Sequence, residues 1–378
     1  MIAPNNIDAF YALLRAGLWE NSVKFTGESL KFTEDLEWNE IYQLAAEQSV
    51  IGVVLAGIEH SNVKPPQELL LQWIGEVQIL EQQNKSMNQF IAELIERMLK
   101  ADICTLLVKG QGIAQCYERP LWRSIGDVDF LLSDTNYEKA KDYLRPLATS
   151  IATEEMYGKH FGITMGGWVV ELHGTLRGGL SRKMDKLIDE VQRDVFLENH
   201  VRTWQNGMSQ VILPSVDNDV LFIFTHFLKH FFKEGVGVRQ ICDWCRLLWT
   251  FKDSLDNCLL ESRIRKAGLM AEWKAFAAFA VDYLGMQEKH MPLYDSADYW
   301  KNKASQIGAF IIEEGHMAQE RDYGFYYKKN SYFIRKLISM RSKCENLLKI
   351  FSIFPWSCIR FFPYIMFNGV RSVVRGEG

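Results

Sequence analysis

The chain has 378 residues, 48% of them hydrophobic and 24% charged, so it suits two or three domains with a sizeable core and is not disordered as a whole. Its formal charge of −4 argues against general nucleic-acid binding, although a local basic pocket stays open to it. Seven cysteines without regular spacing read as reduced thiols of a cytoplasmic protein, and Met1 to Leu18 lacks the basic start and apolar run of a secretory signal.

Residues 6 to 60 read as short helices. Ile7, Phe10, Leu13 and Leu14 recur at helical spacing, and Trp38 to Glu47 and Ile51 to Ile58 continue the pattern. Pro65-Pro66 marks the next start, since proline is favoured in a first turn. From Gln67 to Lys100 the composition predicts a long helix packed beside a sheet. Residues 103 to 175 are mixed. Ile103 to Val108 is an apolar strand that runs into Lys109-Gly110. Gly110 to Tyr117 reads as a helix or its first turns, with N-terminal amides available to an anion. After a loop comes Asp127-Val128-Asp129-Phe130-Leu131-Leu132, a strand with two carboxylates two residues apart. A helix over Asn136 to Leu147 follows, then strands around Ser150 to Glu155, His160 to Met165 and Trp168 to His173. Gly166-Gly167 is a compact hairpin turn between the last two. This order predicts a small mixed sheet with helices on one face.

Residues 174 to 214 form a connector with a helical piece, Lys183 to Val195, and a candidate strand, Ser209 to Leu213. Beyond it the chain reads as helical: Leu221 to Phe232, Val238 to Thr250, Asn257 to Lys266 and Met270 to Leu284, with Asp217 or Asp219 as a cap. Residues 294 to 346 add helices with charged faces. The expected division is a helical segment over 1–101, an α/β unit over 102–214, a helical unit over 215–346 and an aromatic-rich segment over 347–378. No stretch reaches the ~20 apolar residues of a membrane span. The nearest, Ile350 to Val370, is interrupted by Pro355, Arg360 and Pro363. It reads as a terminal helix packed on the body. The alternative is an interfacial helix touching a membrane or a membrane-bound partner, flanked by Arg341, Lys343, Arg371 and Arg375.

Period-2 geometry puts Asp127 and Asp129 on one face of their strand. At about 3.3 Å rise per residue their side chains start roughly 6.6 Å apart. Two ionised carboxylates there repel by about 2.5 kcal/mol at an effective dielectric near ~20. On an otherwise apolar strand that repulsion calls for compensation, and a divalent cation is the obvious candidate. Glu171 stands in the same apolar context. If its strand pairs beside the Asp strand, three hard oxygen ligands converge, which suits Mg²⁺ or Mn²⁺ rather than zinc. Lys109, beside a glycine that lets backbone approach closely, is a phosphate-binding candidate. Arg123 is another, through a bidentate contact; a salt bridge to one of the acids explains it nearly as well. His173 shares the face of Glu171 and either orients it or touches substrate. His226 and His230 stand at i, i+4, a zinc-compatible spacing without a third ligand, and a helix face lining the cleft is the better reading. Arg239 and Asp243 share that spacing, as an ordinary helical ion pair or as a brace of the cleft. Cys242 and Cys245 fall inside a helical pattern and read as core cysteines.

Together, Lys109-Gly110, Arg123, Gly126-Asp127-Val128-Asp129 and Glu171-Leu172-His173, continued by His226-x-x-x-His230 and Arg239-Gln240-Ile241-Cys242-Asp243-Trp244, resemble the uncharacterised nucleotidyltransferase family of bacteria. That family belongs to the DNA polymerase β-like nucleotidyltransferase superfamily. The resemblance implies an α+β fold: a small mixed-sheet domain flanked by helical segments, with a helical domain toward the C-terminus. It also implies Mg²⁺- or Mn²⁺-dependent transfer of a nucleoside monophosphate from an NTP to a hydroxyl of a small molecule, sugar or protein. Asp127, Asp129 and Glu171 would be the catalytic residues and metal ligands of a two-ion site with the ions about 3.5–4 Å apart. Lys109, Gly110 and Arg123 would meet the nucleotide phosphates. His173, His226, His230 and Arg239 would line the substrate cleft. Most members of the superfamily carry Gly-Ser where this chain has Lys109-Gly110. That departure bears on the triphosphate grip and supports an alternative, a non-catalytic nucleotide-binding or regulatory protein. The intact carboxylate set speaks for the enzyme. A toxin-like transferase acting on RNA or protein is a further alternative, and the net charge weighs against a large RNA acceptor.

Overall fold

The computed structural model describes residues 2–20, 36–154, 158–314 and 332–375. Glu155, the expected end of one strand, lies outside them, as do part of the expected helices over 294–346, residues 376–378 and the side chain of Arg375.

Helices α1 (Pro4–Leu18), α2 (Trp38–Glu47) and α3 (Ile51–Glu59) follow their apolar stripes. Glycines let α1 and α3 touch backbone to backbone: a Cβ at Gly17 would strike the Val53 carbonyl, and one at Gly57 the Leu13 carbonyl. Helix α4 (Gln67–Lys100) buries one stripe, Trp73, Val77, Leu80, Asn84, Met87, Ile91, Leu94 and Met98, and leaves the rest half-buried or exposed.

Strands β1 (Leu106–Val108), β2 (Val128–Leu131), β3 (Ser150–Ile151), β4 (His160–Met165) and β5 (Trp168–His173) form one mixed sheet in the order β1-β2-β5-β4-β3. β2 and β5 run parallel and the other pairs antiparallel. In this register Asp129 lies between Val108 and Glu171, and His160 lies opposite His173. Alternation then sorts the faces. Leu107, Val128, Phe130, Val170 and Leu172 pack with Met87, Ile91, Leu94 and Met98 of α4 and with Tyr137 and Leu144 of helix α6 (Asp134–Leu144). Leu106, Val108 and Leu131, on the other face, join the larger helical core. The sheet is therefore covered on both sides, not on one as its local element order suggests. The second cover comes from helices far downstream.

The first strand is shorter than expected, and the helix after it, α5 (Gly110–Ala114), ends three residues before Tyr117. After α7 (Arg182–Leu197) the chain makes a hairpin of β6 (Val201–Asn206) and β7 (Ser209–Pro214) through Gly207, whose φ is +61°. β6 was not expected, because Arg202, Thr203, Gln205 and Asn206 break the apolar alternation and none of its residues is fully buried. α8 (Val216–Lys233) starts at Ser215 without a side-chain cap. Asp217 instead accepts from the Asp256 amide and Asp219 from Arg202, so neither caps the helix as expected.

Helices α9 (Val238–Thr250), α10 (Asn257–Ala267), α11 (Met270–Asp282), α12 (Asp298–Glu314), α13 (Tyr332–Phe351) and α14 (Pro355–Arg375) complete the described chain. Phe224, Phe227, Trp244 and Trp273 meet at 4.7–5.6 Å between ring centroids. They share one core with Phe10 and Leu13 of α1. Cys242 and Cys245 are fully buried core residues, with burial pushing both thiols up. Among the described residues no helix is long and apolar enough to cross a membrane. α14 packs on the body through Phe354 just before it and Cys358, Phe361 and Ile365 within it.

Candidate active site

The sheet face that looks into the helical body opens into a cleft of about 550 Å³. Its floor begins where β1 ends. Lys109 takes φ +59° and ψ −151°, and Gly110 takes φ +43°. The first is a conformation that side chains other than glycine rarely adopt. A side chain at Gly110 would lie 3.3 Å from the Asp127 carbonyl. This tight turn brings Lys109 Nζ to 2.7 Å from Asp129 Oδ1. The same oxygen lies 2.8 Å from His173 Nε2. Glu171 Oε2 lies 3.1 Å from His160 Nε2 and 3.4 Å from His173 Nε2, and the two imidazoles stack at 4.9 Å. Lys109 and two imidazoles thus supply much of the compensation that the sequence assigned to a cation.

Asp127 stands one residue before β2, at the mouth. Its carboxyl reaches solvent on one side, yet desolvation on the other, then Glu171 and Asp129, push it up to about 6. Glu171 goes the opposite way. Burial disfavours its charge, but hydrogen bonds and charge from His160 and His173 outweigh burial and hold it well below the usual carboxylate range. Three carboxylates therefore share one cleft, and Asp127, strained by the other two, has no basic partner at hydrogen-bond distance among the described contacts. That residual repulsion fits a divalent cation.

The opposite wall is helical. His226, Lys229 and His230 come from α8 and Arg239 from α9. Burial, followed by the charge of Lys109, holds His226 well below its ordinary value, so its ring is neutral. His226 and His230 meet edge to face at 4.6 Å, and His230 Nδ1 lies 2.8 Å from Glu234 Oε2. No third ligand joins them: the metal-competent trio among the described residues is His160, Glu171 and His173. Arg239 Nη1 donates to the carbonyls of Ser124 and Ile125, at 3.3 and 2.9 Å, and so braces the loop that carries Asp127.

Arg123 borders the cleft but turns its fork away from it. Its Nε and Nη2 each donate at 2.7 Å to Asp243, whose Oδ1 also accepts from the Tyr117 hydroxyl. Of the two readings of Arg123, the geometry matches the salt bridge, to an acid on α9 rather than to the Asp strand. Asp243 is accordingly held by Arg123. The short α5 also offers less than the expected anion-binding helix start.

His160 and Lys229 belong to the site and carried no motif. His160 was legible nonetheless. A two-residue turn at Gly166-Gly167 pairs Met165 with Trp168, and counting back pairs His160 with His173. Lys229 had no such signal, since only packing turns it toward the sheet.

The model of the uncharacterised nucleotidyltransferases matches residues 34–285, a span that contains every residue named above for the site. The chain belongs to this nucleotidyltransferase family. Among solved structures, an antigenic nucleotidyltransferase-like protein from Paracoccidioides brasiliensis is similar over 49% of this chain and 90% of that one, at 14% identity and a TM-score of 0.29. So low a score adds nothing to the family assignment. No curated protein matches. Membership in the nucleotidyltransferase family implies a nucleotide substrate and agrees with the carboxylate cleft.

Proposed function

We propose that this protein transfers a nucleoside monophosphate from an NTP to a hydroxyl of a small molecule, sugar or protein. The observation that carries this reading is the β2–β5 register, which sets Asp129 beside Glu171 in a cleft shared with Asp127. Asp127, Asp129 and Glu171 would hold Mg²⁺ or Mn²⁺, which when bound neutralises the triphosphate and acidifies the attacking hydroxyl. Lys109 from the sheet wall and Lys229 from the helix wall supply positive charge to the phosphates, the part played elsewhere in the superfamily by the Gly-Ser turn. Gly110 keeps the backbone close to them. Arg123 acts from behind, by fixing the loop between the walls. Neutral His226, with His173, His230 and Arg239, lines the space left for nucleotide and acceptor.

A second reading rests on the Lys109–Asp129 pair at 2.7 Å. A lysine that permanently covers a ligand carboxylate suits a protein that binds nucleotide without turning it over. Isothermal titration of the four NTPs, with and without Mg²⁺, on wild type and Asp129→Ala separates the two. Mg²⁺-dependent binding of an NTP, lost in the variant, supports the transferase. Metal-independent binding supports the second reading, and absence of binding overturns both.

For the place of work, α14 supports a reading. Its Trp356, Ile359, Phe367 and Val370 are exposed, at 81, 54, 61 and 51%, and helical periodicity puts them on one face. Residues 332–375 hold eight basic side chains and one acidic, in a chain of net charge −4. An apolar stripe on a basic segment suits an anionic membrane surface rather than a span. Flotation with vesicles of phosphatidylglycerol and phosphatidylcholine should carry the protein up, and Trp356→Glu with Phe367→Glu should abolish it. Equal flotation of the double variant, or none of wild type, removes the membrane from this reading.

A further inference from the structure

We infer that His160, His173 and Glu171 form a binding position for a divalent first-row transition metal. In the same cleft, the carboxylates Asp127 and Asp129 offer oxygen alone. The inference begins in the hairpin. Gly166-Gly167 pairs β4 with β5 so that His160 and His173 stand directly opposite each other, on the face of Glu171. Their Nε2 atoms converge on one carboxylate oxygen, Glu171 Oε2, at 3.1 and 3.4 Å. One donor atom from each residue lies within 4.8 Å of the other two.

The two contacts to Glu171 Oε2 are close to what a small tetrahedral ion needs, and the two imidazoles would close around it. With ligand bonds of about 2.0–2.2 Å, neighbouring donor atoms sit roughly 3.3–3.6 Å apart. The closer contacts here require shifts of a few tenths of an ångström at most. The donors are also of the right kind. Two imidazoles and a carboxylate suit Zn²⁺, Mn²⁺, Fe²⁺ or Co²⁺, whereas Mg²⁺ prefers oxygen and keeps several waters. Asp129 Oδ1, 2.8 Å from His173 Nε2, stands beside the trio as a fourth oxygen donor. The set is half-buried, with side-chain exposures of 30, 25 and 11% for His160, Glu171 and His173, and it faces the cleft. An open side of that kind leaves room for water or substrate at the metal.

The use of this position rests on the transferase reading, because Glu171 belongs to both. Its existence does not. Wild-type protein stripped of metal should therefore be titrated with Co²⁺, Mn²⁺, Zn²⁺ and Mg²⁺ without nucleotide. Co²⁺ should develop visible d–d absorption that Zn²⁺ abolishes and Mg²⁺ leaves in place. Pulsed electron paramagnetic resonance of bound Mn²⁺ should show coupling to imidazole nitrogen. His160→Ala and His173→Ala should each weaken Co²⁺ binding at least ~10-fold, and the surface control His200→Ala should not. His160→Gln, which keeps the side-chain bulk, guards against loss of fold, with circular dichroism and thermal melting on every sample. No Co²⁺ or Mn²⁺ binding by wild type, or binding unchanged in folded His160 variants, overturns the inference. Titration of Mg²⁺ and NTP on the same samples keeps the two readings apart. Nucleotide binding without Co²⁺ binding removes the histidine site alone, and the reverse removes the transferase alone.

Discussion

On the sheet wall of the cleft, Asp129, Glu171, His173 and His160 come from three neighbouring strands, and their register sets which side chains touch. On the helix wall, His226, Lys229, His230 and Arg239 come from α8 and α9, much later in the chain, and face the strands only because two separate hydrophobic cores stack. The electrostatics differ as well. The sheet wall holds carboxylates matched with Lys109 and two imidazoles. The helix wall is cationic or neutral: among the described residues Lys229 has no ion-pair partner, and burial keeps His226 uncharged. One wall is thus prepared to hold cations and the other to meet anions. A buried pair, Arg123 with Asp243, ties the loop before β2 to α9 and sets the gap between them.

The largest effect should come from the one carboxylate that the sheet wall leaves uncompensated. Asp127→Asn removes charge where metal and phosphate would meet, and turnover should fall by ~10⁴-fold, about 5 kcal/mol in the barrier. Its fold should be kept or slightly stabilised, since Glu171 and Asp129 lose a repelling neighbour. Steady-state kinetics with a thermal melt checks both halves. Wild-type turnover in this variant means that the sheet wall is not where chemistry occurs.

Cutting the tie between the walls comes next. Arg123→Met strands a buried Asp243, and removal of one partner of a buried pair costs about 3–5 kcal/mol. Denaturant unfolding should show that loss, and the double change Arg123→Met with Asp243→Leu should recover much of it. If Arg123→Met instead left stability alone and raised KM for the nucleotide, Arg123 would be a phosphate ligand after all.

How far the two walls were legible follows from how each is made. Asp127, Asp129 and Glu171 stood out because alternation on an apolar strand makes a carboxylate conspicuous. His160 lay one counting step away through its hairpin turn. Arg123 stayed ambiguous because its partner is 120 residues away and no local period points to it. β6 was missed for a similar reason, since its pairing with β7, not an apolar pattern, makes it a strand. Helices and strands with a clear period were found within a few residues. The cover on the second face of the sheet was not, because it depends on how whole layers stack.

Smaller effects test each wall separately. At the end of α8, the helix that supplies Lys229 and His230 to the helix wall, Lys233 donates to the Gly178 carbonyl, and burial, then Lys229 and Lys343, lower its pKa to about 7, against the pull of Glu234 and Asp185. An unfolded lysine keeps its proton to about 10.4, so between those values the unfolded state binds more protons and stability rises with pH. Discounted for solvent screening at this half-buried site, the gain should be about 2 kcal/mol between pH 7 and 10. Lys233→Met should flatten that rise relative to wild type in denaturant unfolding across the range. An unchanged slope would mean that Lys233 stays hydrated and ionised.

On the sheet wall, the finest test is the backbone of Lys109. At φ +59° and ψ −151° the residue occupies a region where a side chain costs about 1–3 kcal/mol. Glycine carries no such cost. Lys109→Gly and Lys109→Ala both lose the contact with Asp129, so the difference between them isolates the backbone. The glycine variant should be the more stable by about 1 kcal/mol, after allowing for the larger entropy of glycine in the unfolded chain. Equal stabilities, or an advantage for alanine, would mean that the turn relaxes once the lysine is gone. The strain would then come from the Lys109–Asp129 contact, and the turn itself would not be holding the lysine against the carboxylate.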